Sequence, residues 1–156
     1  IADFIGGWNT LFVDSMKSPN TWYMDRYMSE RFKYLEEQGK LNDFYMNLNP
    51  KISPKDIPFE PHCYVTARPV DKTVTEMWID YNRFPRVPVY SIPIGESKAQ
   101  VIRDSGCEVF VDDNFEIFKE LNNIGILTYL YDADWNRKYD VGHLRIKTLK
   151  DLPYFR

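Results

Sequence analysis

Side chains suited to phosphate chemistry follow three predicted strands of this chain. Thr66 ends the first apolar run, Lys98 opens a helical pattern, and Asp112 and Asp113 follow a third apolar run. A hydroxyl donates to a phosphoryl oxygen, an ammonium offsets its charge, and carboxylates hold a hard divalent cation such as Mg²⁺. These residue types together predict a phosphate site with a metal ion at one edge of a sheet.

The aspartate pair is the strongest of these signals. Asp112 and Asp113 end a buried-type strand and precede a helical pattern, so their structural alternative is to cap that helix. Asn114 is itself a good N-cap residue, which leaves both carboxylates available for another role. Thr66 is weaker evidence on its own, because a threonine after a strand also caps turns.

Lys98 is informative because of its neighbours. Ser97 and Gln100 are spaced as a capping box, which places Lys98 at the first helical position. A cation at a helix N-terminus opposes the helix dipole, so its presence there favours a functional role. The alternative is a solvated surface lysine.

Strands and helices alternate from His62 onward. Short apolar runs predict strands at 62–66, 87–92, 107–111, 126–131 and 144–146, with helices at 71–84, 97–105 and 114–123. This alternation predicts an α/β fold with a parallel sheet and helices on both faces. Prolines in the second run favour an edge strand. Ligands of such sheets bind at the carboxyl ends of the strands, where the candidate residues lie.

The first sixty residues have a different character. A helical pattern runs from residue 3 to 39 with a break at 18–20, and prolines punctuate residues 47–61. The proline-rich stretch predicts a linker with one helical turn, since Ser53 and Pro54 form a good N-cap and first-turn pair.

Length and composition limit the kind of protein. The 156 residues suit one domain, and 44% hydrophobic with 28% charged residues is ordinary for a soluble globular protein. A net charge of −3 argues against a broad nucleic-acid interface. Cys63 and Cys107 each open an apolar run, which predicts free thiols in a cytoplasmic protein rather than a disulfide. No signal peptide or membrane-spanning stretch is expected.

The order of these motifs resembles a known superfamily. Val65-Thr66-Ala67-Arg68, then Lys98, then the segment 109–114 is similar to the second, third and fourth motifs of haloacid-dehalogenase-like (HAD) phosphatases. The segment 125–137 resembles the 5'-nucleotidase and deoxyribonucleotidase branch of that superfamily. The resemblance covers residues 59–156 and the first few residues.

The resemblance implies a fold and a set of roles. It implies a three-layer Rossmann-like core of residues 1–8 and 59–156, with a small helical cap and linker at 9–58. Thr66 and Lys98 would be catalytic, and Asp112 and Asp113 would ligate Mg²⁺. Phe4 would line the pocket for a base, and Arg68 would contact phosphate or form a surface ion pair.

The first family motif is expected upstream of Ile1. Residues 1–4 resemble the segment that follows the Asp-x-Asp-Gly motif, whose aspartates are the nucleophile and the general acid-base. Asp3 matches a later aspartate of the pattern and is not expected to be the nucleophile. This segment alone is therefore not expected to form an aspartyl-phosphate. The motif also supplies a central strand, so the strands at 62 and 107 would each lack a neighbour.

The function implied is a magnesium-dependent phosphomonoester hydrolase, a 5'(3')-nucleotidase acting on (deoxy)nucleotides or similar small phosphate esters. One alternative is an enzyme similar to a polynucleotide 3'-phosphatase, because the segment 66–82 distantly resembles such domains. The other is a catalytically inactive HAD-like binding module. The expected partner is a small nucleotide, with no membrane and no nucleic acid, and the oligomeric state is left open.

Overall fold

The computed structural model describes residues 26–155 together with Ala2, Phe4, Gly7, Trp8 and Leu11. Asp3 and residues 12–25 of the predicted N-terminal helices lie outside the described residues. Within residues 26–155 the α-helices are α1 (Arg26–Glu37), α2 (Leu41–Met46), α3 (Lys72–Tyr81), α4 (Ala99–Asp104) and α5 (Phe115–Asn123). No helix was predicted at α2, which follows the predicted end of the helical region at Gly39.

The strands are β1 (Tyr64–Thr66), β2 (Val89–Ser91), β3 (Val109–Asp112), β4 (Leu127–Tyr131) and β5 (Arg145–Ile146). These described strands pair in parallel: β1 pairs with β2, and β4 lies between β3 and β5. An isolated antiparallel bridge joins Ala2 to Pro50. The predicted α/β class with parallel strands is therefore confirmed, and so is the edge position of β2. The three-layer HAD-like arrangement and the division into core and cap stay predictions.

The strands form two separate sheets rather than one. Among the described residues, no strand pairing joins β1 to β3, so each has one edge without a partner strand. The two sheets are nevertheless close, because Val65 of β1 packs against the cluster that contains Phe110 of β3. The His62 ring also donates a hydrogen bond to the Ser105 carbonyl at 2.6 Å. The division falls between the two strands that were expected to lack a neighbour, and the additional strand itself stays a prediction.

Local signals set the ends of the helices. Asn114 caps α5 as predicted, because its side-chain oxygen accepts from the amides of Glu116 at 2.9 Å and Ile117 at 3.4 Å. Gly106 and Gly125 follow α4 and α5 with φ of 74° and 87°, a left-handed conformation that glycine adopts without strain. The predicted turn at Ser53 and Pro54 is confirmed as a 3-10 helix, Pro54–Asp56, with Ser53 as its cap.

Buried apolar clusters hold these elements in place, and two of them matter most for the candidate residues. The first joins α1, α2 and α3 through buried residues that include Leu35, Phe44 and Val74. It continues as an aromatic cluster, which consists of Phe4, Trp8, Phe32, Phe44 and Tyr45. The second packs α4 and α5 against β3 around Ile102, Phe110 and Leu121. Helices thus fix the strands whose ends carry the candidate residues.

The described residues bear on the cysteines and on membrane spans. Cys63 and Cys107 are free thiols, as predicted, and both are half-buried. Among the helices that the structure describes, none is long and apolar enough to span a membrane.

Candidate functional site

Lys98 and Asp112 form an ion pair at the carboxyl end of β3. The Lys98 Nζ lies 2.6 Å from the Asp112 Oδ2, and the two side chains are only 12% and 7% exposed. The other carboxylate oxygen, Oδ1, accepts a hydrogen bond from the Asn114 amide at 2.9 Å. Asp112 is therefore held at both oxygens, and the alternative of Lys98 as a solvated surface residue is wrong.

The helix-capping interactions around Lys98 differ from the predicted ones. Lys98 is the N-cap residue of α4 rather than its first helical residue. The predicted capping box is wrong, because the Gln100 side chain donates to Asp104 at 2.7 Å instead of turning back to the cap. Ser97 accepts from the Ala99 amide at 3.0 Å and donates to Glu120. Lys98 still lies at the helix N-terminus, where Asp112 supplies the anionic partner.

Asp113 adds a second carboxylate to this pair. Burial, together with the neighbouring Asp112 carboxylate, raises the pKa of Asp113 to about 6, and Lys98 opposes this only in part. Two adjacent carboxylates repel each other, and the positive charges near them, Lys98 among these, still leave the pKa of Asp113 raised. The arrangement therefore favours an additional cation at this end of β3.

The main chain at Asp113 is held by the loop after β4. The Asp113 carbonyl accepts hydrogen bonds from the Trp135 ring nitrogen at 3.0 Å and from the side-chain amide nitrogen of Asn136 at 2.9 Å. Asn136 is fully buried, and the same amide nitrogen also donates to the Tyr131 carbonyl at 2.7 Å. Asn136 thus connects the carboxyl ends of β3 and β4.

The oxygen of Asn136 is satisfied as well. It accepts from the Ala133 amide at 3.2 Å and from Arg145 Nη1 at 2.6 Å, and Arg145 belongs to β5. All four hydrogen-bonding positions of the side chain are therefore used, which fixes its orientation. Sequence reasoning missed this residue. The resemblance to nucleotidases included the segment that contains Asn136, but a polar loop residue carries no sign that it is buried.

Asp132 extends this network and allows a prediction for stability. Its pKa lies below the usual value because Arg137 donates to it at 2.9 Å and Arg145 at 3.0 Å. A carboxylate with a lowered folded-state pKa stabilises the fold above its unfolded-state pKa of about 4, and this stabilisation is lost as pH falls through the folded-state pKa.

We therefore expect Asp132→Asn to lower the free energy of unfolding at neutral pH, with a difference from wild type that shrinks in acid. Urea unfolding of both proteins at pH 7 and at about pH 3 measures this. A difference that stays constant between the two pH values would contradict the assigned role of Asp132.

Thr66 lies at the carboxyl end of β1, in register with Ser91 of β2. Its carbonyl accepts from the Ile92 amide at 2.9 Å. Among the hydrogen bonds and ion pairs of residues 26–155, none joins Thr66 to Lys98 or Asp112. The structure therefore brings Lys98, Asp112 and Asp113 together and places Thr66 on the neighbouring sheet.

Arg68 and Phe4 lie in a second neighbourhood. The Arg68 guanidinium stacks over the rings of Tyr45 at 5.2 Å and Trp78 at 5.9 Å. Arg68 forms no ion pair with the part of the chain that the structure describes, so the surface ion pair is wrong. Phe4 is half-buried in the aromatic cluster, where its ring is parallel to that of Phe32 at 5.6 Å. The role of Phe4 at a base stays a prediction.

The acidic side chains define what metal binding is possible. Within the described residues, no group of three or more His, Cys, Asp or Glu side chains is arranged to hold a metal ion. Asp112 and Asp113 offer two carboxylates. Mg²⁺ commonly binds through one or two carboxylates and keeps several waters, so this donor set and its shortage of positive charge fit that ion.

Comparison with known proteins gives one relevant relative. A nucleotidase of Clostridium acetobutylicum is 30% identical over 112 residues, which is 70% of this chain and 55% of the relative. The chain thus spans about half the length of this curated relative. No family model and no solved structure matches the chain. The name of the relative agrees with the nucleotidase-like motifs in the sequence.

Proposed function

We propose that this chain belongs to a magnesium-dependent phosphomonoester hydrolase of HAD type, a 5'(3')-nucleotidase that acts on nucleotides in the cytoplasm. The buried pair of Lys98 and Asp112, with Asp113 beside it, carries the proposal. The similarity to a nucleotidase supports the substrate class. The parallel strands support the position of the site, because ligands of such sheets bind at the carboxyl ends.

Asp112 and Asp113 would hold the metal ion. When bound, Mg²⁺ neutralises charge on the phosphoryl oxygens and orients the phosphate for attack. Asp112 is suited to this role because Lys98 and the Asn114 amide keep its carboxylate in one orientation. Asn136 keeps the adjacent main chain in place through the Asp113 carbonyl.

Lys98 and Thr66 would act on the phosphate itself. The Lys98 ammonium has three donors and uses one of them on Asp112, so two remain for phosphoryl oxygens. Its low exposure strengthens this interaction, since charges attract more strongly away from water. The Thr66 hydroxyl would donate to a further phosphoryl oxygen. Contact between Thr66 and the phosphate would require the ends of β1 and β3 to face one ligand.

The nucleophile and the general acid-base would be the aspartates expected upstream of Ile1. Among the described strands, β1 and β3 each have one edge without a partner, which supports a further strand between them, since buried backbone groups without partners cost free energy. Activity assays therefore need the full-length protein.

The substrate class is tested by comparing phosphate release from nucleoside monophosphates with release from the 3'-phosphate of an oligonucleotide, both with Mg²⁺. We expect kcat/KM to favour the mononucleotide by at least about tenfold, because a chain of net charge −3 offers little attraction to a polyanion. Preference for the oligonucleotide would replace the proposal with a polynucleotide 3'-phosphatase. No release from either would favour an inactive binding module.

A further inference from the structure

The Arg68 guanidinium packs on two aromatic rings and has no anionic partner among the described residues. It stacks on Tyr45 of α2 and on Trp78 of α3, at 5.2 Å and 5.9 Å from the ring centroids. Within the described part of the chain it makes no hydrogen bond or ion pair, and its Nη1 is buried without a partner. The two rings hold the guanidinium in place but accept no hydrogen bond from its Nη1.

Burying the Arg68 guanidinium costs free energy unless a further group accepts its hydrogen bonds. A guanidinium remains charged at any ordinary pH, and a buried charge without an acceptor is unfavourable. Stacking on aromatic rings offsets part of this cost. Asp71 is close in the chain, but it serves as the N-cap of α3 and accepts from the Thr73 amide at 2.9 Å and hydroxyl at 2.7 Å. Asp71 is thus already engaged, and the Arg68 guanidinium can still donate to an anionic ligand.

Arg68 also lines an open cleft at the carboxyl ends of β1 and β2. The cleft has a volume of about 520 Å³, with residues 68–72 on one side and 91–93 on the other. Lys72 adds a second cation, held only loosely by exposed Glu76 at 3.8 Å, and Ser91 adds a hydroxyl. The cleft lining therefore contains two cations and a hydroxyl, against the one carboxylate of Asp71, which is engaged with Thr73. Cations in excess around an open space suit a phosphate group.

We propose that this cleft binds a second phosphate group of the ligand, separate from the phosphate at Lys98 and Asp112. Arg68 would donate to its oxygens, with Lys72 and Ser91 at the rim. The anion site stands on the geometry alone. The identity of the ligand, a nucleotide with two phosphates such as a nucleoside 3',5'-bisphosphate, rests on the proposed function.

The experiment begins with inorganic phosphate and the full-length protein, without Mg²⁺. Lys98→Met removes the cation of the first site, and calorimetric titration of this variant reports the remaining phosphate binding. Adding Arg68→Met, which keeps an unbranched apolar side chain on the rings, should weaken this binding by about tenfold. Arg86→Met is the matched control, because Arg86 pairs with Asp80 and lies outside this cleft, and it should leave the binding unchanged.

A purely structural Arg68 predicts a different outcome. If Arg68→Met lowers the thermal midpoint but binds phosphate as tightly as its parent, the site is overturned. If that variant does not fold, Arg68→Lys is titrated in its place, because lysine keeps the positive charge but lacks the guanidinium N–H groups. Weaker binding in Arg68→Lys supports the site, and unchanged binding overturns it. Acetate that binds as tightly as phosphate would overturn the assignment to phosphate.

The nucleotide measurement separates this inference from the proposed function. Wild type should bind a nucleoside 3',5'-bisphosphate about tenfold more tightly than the 5'-monophosphate, and Arg68→Met should bring that ratio close to one. A ratio near one in wild type overturns the ligand assignment. If phosphate binding depends on Arg68 but no nucleotide is hydrolysed, the proposed function fails and the anion site stands.

Discussion

Replacing Asp112 with asparagine in the full-length protein is expected to lower kcat/KM for a nucleoside monophosphate by about a thousandfold. Asparagine keeps the size of the side chain and can still accept from the Asn114 amide. It removes the negative charge that would hold Mg²⁺ and that fixes the Lys98 ammonium at 2.6 Å. Phosphate release at saturating Mg²⁺ measures the effect.

Asp134→Asn is a suitable control for this variant. It makes the same chemical change in the loop after β4, where Asp134 is 45% exposed and pairs with Arg137. Its activity should stay close to that of wild type, since exposed ion pairs contribute little. Circular dichroism of both variants tests whether they are folded. A folded Asp112→Asn protein that keeps more than roughly a tenth of wild-type activity would exclude the role assigned to Asp112.

Replacing Asn136 with alanine is expected to lower the free energy of unfolding by about 3 kcal/mol, because buried partners would lose their hydrogen bonds. The carbonyls of Asp113 and Tyr131 would lose a donor, and Arg145 would lose an acceptor. The variant should also bind Mg²⁺ more weakly than wild type, because the main chain at Asp113 would no longer be held.

Asn47→Ala provides the comparison for the effect on stability. Asn47 is exposed, and its amide donates to the Asp43 carbonyl at 2.8 Å, so its loss should cost less than about 0.5 kcal/mol. Urea unfolding gives both values, and calorimetric titration with Mg²⁺ gives the second readout for Asn136→Ala. Equal stability of the two variants would show that the Asn136 network does not support the site.

The alternation of apolar runs allowed most of the fold to be predicted. Strands buried on both faces are continuous apolar runs, and residues such as Asn114 and Gly106 end or begin helices through local backbone chemistry. Helix α2 was missed, because it is short and follows Gly39 with no strong start signal; Lys40 caps it without a side-chain hydrogen bond. The described strands are divided between β1 and β3, and the strand expected upstream stays a prediction.

Less of the candidate site could be predicted. Asp112 and Lys98 were found because both lie directly at the ends of elements, where residue type and position can be seen in the sequence. Their direct ion pair and the burial of Asn136 depend on packing between β3, β4 and α4. The stacking of Arg68 on Tyr45 and Trp78 depends on how α2 meets α3, which no local pattern encodes.

The most direct test of the central claim is phosphate release from a nucleoside 5'-monophosphate by the full-length protein, with Mg²⁺ and with a chelator in its place. If Asp112 and Asp113 hold a catalytic metal ion, release should require Mg²⁺, fall to background in the chelator and recover when Mg²⁺ is restored. Release that continues at the same rate in the chelator, or no release with Mg²⁺, would contradict the assignment of this site.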